Sequence, residues 1–186
     1  LMMMIISSCS SLSLLNGKTT KMIQNKITDK FLTDSHPKIE LDYQIYLPNN
    51  YNNSQNNFPL VLFLHGAGER GNDLKLVETH GIPKLINFGK DFPFITVVPQ
   101  CPISGYWSDS LYVSTLILLV EKIMSMYKVN SKRVYATGLS MGGYGTLAIA
   151  KERPDLFAAI LPVCGGMDTT NIYKLGNMPI WLFHGS

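Results

Sequence analysis

Arg133-Val134-Tyr135-Ala136-Thr137-Gly138-Leu139-Ser140-Met141-Gly142-Gly143 is the stretch whose reading decides the fold. A short β-branched and aromatic run meets a serine flanked by glycines, the pattern of strand, sharp turn and helix. In a G-x-S-x-G turn the serine takes a strained backbone conformation, and Gly138 and Gly142 leave no Cβ to clash where strand and helix converge. Ser140 Oγ then projects from the top of a sheet. Gly143, Gly145, Ala148 and Ala150, with Leu147 and Ile149, are small or apolar enough for a helix packed closely on that sheet. The plainer alternative is a serine that only caps a helix.

Working outward, Leu60-Val61-Leu62-Phe63-Leu64 and Phe94-Ile95-Thr96-Val97-Val98 are continuous apolar runs bounded by Pro59, His65-Gly66 and Pro99, the signature of strands buried on both faces. Residues 157–163 form another, closing on Cys164-Gly165-Gly166, and Pro179-Ile180-Trp181-Leu182-Phe183-His184 a last one. Residues 39–47 alternate instead. Leu41, Tyr43, Ile45 and Leu47 oppose Asp42, Gln44 and Tyr46, the period of a half-buried strand. The asparagine-rich residues 49–57 read as a solvated hairpin loop.

Helices fill the intervals. Residues 111–129 carry Val113, Leu116, Ile117, Val120, Ile123, Met124 and Tyr127 at i, i+3, i+4 spacing, behind cap residues in Trp107-Ser108-Asp109-Ser110. The helix after Ser140 ends near Arg153-Pro154, and residues 171–175 make at most a short helix. Strands alternating with helices predict an α/β fold, a mostly parallel sheet with helices on both faces.

With 186 residues and 46% hydrophobic content, the chain suits one domain with a real core. The formal charge of +3 comes from scattered Lys and Arg, and no basic stripe is interleaved with aromatics, so nucleic acid is not an expected partner. Near the start, Ile6-Ser7-Ser8-Cys9 resembles a bacterial lipobox, and the apolar run around it is too short to span a membrane. The alternative is a chance cysteine. On the lipobox reading, residues 1–9 end a signal peptide, residues 10–30 are a polar spacer able to end in an edge strand, and residues 31–186 are the α/β domain. Cys9 is then lipidated and ties an exported protein to a bacterial membrane, periplasmic or at the cell surface.

Four segments in chain order carry a family resemblance. They are His65-Gly66-Ala67-Gly68-Glu69-Arg70-Gly71, Gly138-Leu139-Ser140-Met141-Gly142-Gly143, Pro154-Asp155-Leu156-Phe157-Ala158-Ala159 and Pro179-Ile180-Trp181-Leu182-Phe183-His184-Gly185. From about Leu41 to Ser186 the chain resembles an α/β-hydrolase, of the esterase and predicted-peptidase branch related to phospholipase/carboxylesterases. The resemblance implies Ser140 as nucleophile, activated by a histidine that removes its proton. It implies an oxyanion hole from the Met141 and Ala67 N–H groups, with Gly66 and Gly68 letting the backbone approach the substrate, each donor being worth about 3 to 4 kcal/mol.

The family order is serine, then acid, then histidine. After Ser140 the acids are Glu152, Asp155 and Asp168, and the histidine is His184, on the strand end that precedes the catalytic aspartate in this family. The expectation is therefore that acid and base lie beyond Ser186, that the fold lacks its last strand and helix, and that the chain is a C-terminally incomplete fragment. Expressed alone, it is expected to be poorly soluble and to hydrolyse p-nitrophenyl acetate little above background.

Other candidates keep two readings. His65 is a loop brace or a catalytic group, the brace being favoured. Glu69 and Arg70 form a solvated ion pair or bind substrate. Trp107 lines a pocket or is core, and Asp109 is a helix cap or a catalytic acid, the cap being favoured. His36 and His80 serve as base only in an unusual topology. Cys101 and Cys164, about 14 Å apart across three strand spacings in the resembled fold, form no disulfide. No metal or cofactor is implied. The expected activity is cleavage of a small-molecule or polysaccharide-linked carboxylic ester through an acyl-enzyme; the alternatives are a serine peptidase on small peptides and a non-catalytic surface lipoprotein.

Overall fold

The computed structural model describes residues 25–34, 38–170 and 172–185. Cys9 and His36 lie outside them. Six strands, β1 (Asn25–Leu32), β2 (Glu40–Leu47), β3 (Phe58–Leu64), β4 (Ile95–Pro99), β5 (Val129–Leu139) and β6 (Ala159–Val163), lie in the order β1-β2-β4-β3-β5-β6. The β1/β2 and β2/β4 pairs are antiparallel, and β4, β3, β5 and β6 run parallel. Parallel neighbours need crossovers, which α1 (Gly81–Asn87), α2 (Ser110–Met126) and α3 (Met141–Glu152) supply in turn.

The two faces of the sheet bury separate cores. Leu60, Leu62 and Leu64 of β3 join Val134 and Ala136 of β5 beneath α2 and α3, through Leu116, Val120, Ile123, Leu147 and Ile149. The alternate residue Phe63 points to the opposite face, where it meets Tyr46, Val98 and Ile86 of α1. Beyond α1 that second face is open, leaving an apolar cleft of about 710 Å³ over β5 and β6, between Leu85, Leu161 and Trp181.

Several sequence expectations change in detail. β1 takes in residues 25–30, assigned above to the spacer, and makes the sheet edge. β2 is therefore interior and buried on both faces. Its outer-face residues Gln44 and Tyr46 are 2% and 0% exposed; Tyr46 Oη donates to Gln44 Oε1 at 2.5 Å, and Gln44 Nε2 donates to Glu78 Oε1 at 2.7 Å. Residues 49–57 are not a hairpin, because β4 lies between β2 and β3. That loop instead docks Tyr51 against Phe58 and Tyr127.

The helix expected over 111–129 stops at Met126, since β5 begins at Val129. Residues 179–184 run extended along β6 through two parallel bridges, Ile160 to Ile180 and Val163 to Phe183, rather than forming a full strand. Trp181 and Leu182 there are 67% and 55% exposed. Among the described residues, no helix is long and apolar enough to cross a membrane.

Candidate active site

Register builds the site. In the parallel β3/β5 ladder Leu64 lies opposite Gly138, so two residues further on the loop at Gly66 comes up beside Ser140. A Cβ built on Gly66 would sit 4.0 Å from Ser140 Cβ and 3.5 Å from the Leu139 carbonyl. The candidate oxyanion donors, Ala67 and Met141, are the next residues on each chain. Neither amide is bonded to another backbone carbonyl among the described residues, and Met141 opens α3, where the first N–H groups have no partner within the helix.

Ser140 has φ 55° and ψ −115°, a conformation that costs a residue with a Cβ about 1–3 kcal/mol. Two bonds hold it there: Ser140 N–H donates to Val163 O at 2.8 Å, and Ser140 O accepts from Tyr144 N–H at 3.0 Å. The glycines explain why the turn can be so tight. A Cβ on Gly138 would run into Gly142 O, and one on Gly142 into Leu64 O, with His65 O 2.8 Å away. Gly68 differs, since a Cβ there meets nothing within 4 Å, so the protein itself does not require glycine at that position. Ser140 is exposed, and no described group bonds its Oγ.

His65 is the loop brace. It is 1% exposed; Nδ1 donates to Gly66 O at 2.6 Å, and Nε2 accepts the Cys101 N–H at 3.0 Å, which fixes the neutral tautomer. Burial, the main cause, holds its pKa below the ordinary histidine value. Trp107 is core: fully buried, it donates Nε1–H to His65 O at 3.2 Å and sets its ring edge-on to the imidazole. Asp109 occupies the N-cap position of α2 but turns its carboxylate back to accept from Tyr106 N–H at 3.1 Å.

The expected Glu69–Arg70 ion pair does not form. Arg70 turns away, donating to Ala67 O at 3.1 Å and Gly105 O at 3.3 Å over the Tyr106 ring. Glu69 folds inward, 8% exposed, with Oε1 3.4 Å from His80 Nε2 and Oε2 3.9 Å from His65 Nδ1. Nothing in the spacing of Glu69 and His80 announces this pairing. It comes from the β3 loop and the α1 N-terminus meeting in space.

The remaining acids are engaged elsewhere. Asp155 pairs with Arg153 at 2.9 Å, and Asp168 accepts from Thr170 N–H and Oγ1 at 2.9 and 2.8 Å. Those bonds, the backbone one foremost, hold the Asp168 carboxyl below its ordinary range. His184 is exposed, with Nδ1 2.9 Å from Gly185 O. Cys101 is buried, which pushes its thiol up to about 12; Cys164 is exposed, and both are free, with β3 and β5 between their strands. Among the described residues no group of three or more His, Cys, Asp or Glu could hold a metal ion.

A mostly parallel sheet carrying a strained, exposed serine at the β5–α3 elbow, beside a loop whose Ala67 amide has no backbone partner among the described residues, defines an α/β-hydrolase, and the chain belongs to that superfamily. Residues 112–183 match the profile of the prolyl oligopeptidase family. The crystal structure of a thermostable esterase superposes with a TM-score of 0.68 and 32% identity, over 84% of this chain and 46% of that one. Poly(3-hydroxyalkanoate) depolymerase C of Paucimonas lemoignei is 30% identical over 124 residues, 59% of this chain and 28% of that protein. A bifunctional acetylxylan esterase/xylanase of Neocallimastix patriciarum is 29% identical over 149 residues, 77% of this chain and 20% of that protein. The chain spans less than half the length of each of these relatives.

Proposed function

We propose that this protein is a serine esterase that cleaves carboxylic esters through an acyl-enzyme on Ser140. The observation that carries the reading is the φ of 55° at an exposed serine between a parallel strand and a helix. Strain of this kind persists where a surrounding structure over-determines it, and here it lifts a hydroxyl clear of the sheet. Attack by Oγ on the ester carbonyl forms the C–O bond as a histidine base takes the serine proton. The oxyanion that develops then faces the Ala67 and Met141 amides. Collapse expels the alcohol, which receives that proton, and water later releases the acid. His65 is not the base, since both its ring nitrogens are spent on the loop.

The alcohol or acyl part belongs to a small molecule or a polysaccharide, a reading supported by the acetylxylan esterase among the relatives. The match to the prolyl oligopeptidase family supports a second reading, a serine peptidase on small peptides, because the same attack serves amides. Panels of aryl and sugar acetates against peptide p-nitroanilides separate the two. Ester turnover at least 100-fold above amide turnover is expected, and the reverse ratio favours the peptidase.

The Ile6-Ser7-Ser8-Cys9 segment supports export and a lipid anchor. Metabolic labelling with a fatty-acid analogue should place lipid on Cys9, and an unlabelled protein removes that part of the proposal.

A further inference from the structure

From Ser140 to Lys151, α3 and its cap are buried except along one line. Ser140 and Tyr144 are exposed and Ala148 and Lys151 half-buried, while every residue between them is buried. Their spacing, i, i+4, i+8 and i+11, puts these positions on one stripe that runs about 16 Å along the helix from the nucleophile. Beyond Ser140 the stripe is the floor of a second cavity, of about 430 Å³, between Ser108 ahead of α2 and the Gly166–Asp168 loop after β6.

That loop starts beside the nucleophile. Ser140 N–H donates to Val163 O at 2.8 Å, and a Cβ on Gly143 would lie 2.9 Å from Gly165 Cα. A Cβ on Gly166 would sit 3.2 Å from Tyr144 Cε1 and 3.3 Å from its Oη, so the tyrosine is braced on glycine backbone, yet it stays 47% exposed. Polar groups surround the ring. Ser108 supplies a hydroxyl, Lys151 an ammonium donor and Asp168 a carboxylate. The Asp168 carboxyl, held low first by the Thr170 N–H, also feels the Lys151 charge across the groove.

A flat apolar ring flanked by donors and acceptors suits a ligand with apolar C–H faces and a rim of hydroxyls, which is a sugar ring. An extended peptide fits less well. It binds through main-chain pairing or side-chain pockets, and the floor here is the outer face of a helix whose N–H and C=O groups bond within it.

We propose that the stripe Tyr144, Ala148 and Lys151 is the subsite for the alcohol half of the ester, an oligosaccharide lying along α3 with one ring stacked on Tyr144. Ser108, Lys151 and Asp168 meet its hydroxyls, and the acylated oxygen lies over Ser140 at the head of the stripe. The inference rests on the serine-esterase reading above and narrows the alcohol to a carbohydrate chain, since a groove of that length takes several rings in a row.

The test measures kcat/KM of the full-length protein on singly acetylated gluco-, xylo- and manno-oligosaccharides of one to four rings, and on peptide p-nitroanilides of one to four residues. In at least one sugar series kcat/KM should rise ten-fold or more from one ring to four. Tyr144→Ala should cut that ratio at least five-fold, Lys151→Ala at least two-fold, and Tyr144→Phe should keep it within two-fold. Because the ratio is taken within each variant, a loss of folded protein cancels. A smaller rise in all three sugar series overturns the proposal, as does a smaller fall in Y144A. A Y144F ratio as low as that of Y144A assigns the effect to the hydroxyl instead of the ring face and also overturns it. If Y144A does not fold, a K151A ratio within two-fold of wild type overturns it. A ten-fold rise along the peptide series in place of the sugars gives the groove to a peptide and refutes the carbohydrate assignment. Failure of a fluorophosphonate to label the wild type overturns the esterase reading, whereas a labelled wild type with no length dependence overturns this proposal alone.

Discussion

Replacing Ser140 by glycine should make the protein more stable while abolishing its reaction with fluorophosphonates. The φ of 55° and ψ of −115° at Ser140 cost a side chain about 1–3 kcal/mol, a cost that glycine escapes. Glycine adds about 0.5–1 kcal/mol of unfolded-chain entropy in return. The net gain is about 0–2.5 kcal/mol, centred near about 1 kcal/mol, which at its centre raises Tm by roughly 2–4 °C for a domain of this size. The control is Ser140→Ala, which loses the hydroxyl but keeps the Cβ and hence the strain. No described group bonds Ser140 Oγ, so the alanine variant should melt within about 1 °C of wild type. Differential scanning fluorimetry of the three proteins at one concentration reads the effect. If S140G melts at or below S140A, the elbow stores no strain and the reasoning from its backbone fails.

Gly142→Ala meets backbone atoms, Leu64 O and His65 O, that cannot swing aside, so overpacking of about 1–3 kcal/mol should exceed the helix-propensity gain of about 1 kcal/mol and lower Tm. Gly68→Ala, with open space at its Cβ, should change Tm by less than about 2 °C; equal effects at the two sites would contradict the packing described. His65 gives a pH dependence. Its folded pKa lies below the unfolded value, so below about pH 6.5 the unfolded state binds more protons, and stability falls with pH by at most about 1.4 kcal/mol per unit. Urea titrations from pH 8 to pH 5 should show this loss in wild type and a shallower one in H65Q, whereas parallel curves would deny the buried neutral imidazole.

The β5–α3 elbow was legible in the sequence because sterics dictate it: only glycine fits at Gly138 and Gly142, and those two letters frame the serine. The buried strands β3 and β4 were legible as unbroken apolar runs, and α2 through its spacing. The burial of β2 on both faces was not, because Gln44 and Tyr46 are polar by type and satisfy each other only once α1 and the Leu74–Glu78 turn cover them. The hairpin reading of residues 49–57 failed for a related reason: strand order is a long-range property, and β4 enters between β2 and β3 from more than thirty residues away. Glu69 and Arg70 are adjacent and opposite in charge, which in sequence looks like an ion pair. In the fold their backbone sends them to opposite sides of one 3-10 turn, Ala67–Glu69, and Glu69 finds His80 instead.

The central claim is that Ser140 is an activated nucleophile. Labelling the full-length protein with a fluorophosphonate, followed by proteolysis and mass spectrometry, tests it at the level of a single residue. The account predicts one adduct, on Ser140, lost in S140A. No adduct, or one on another residue, would contradict it.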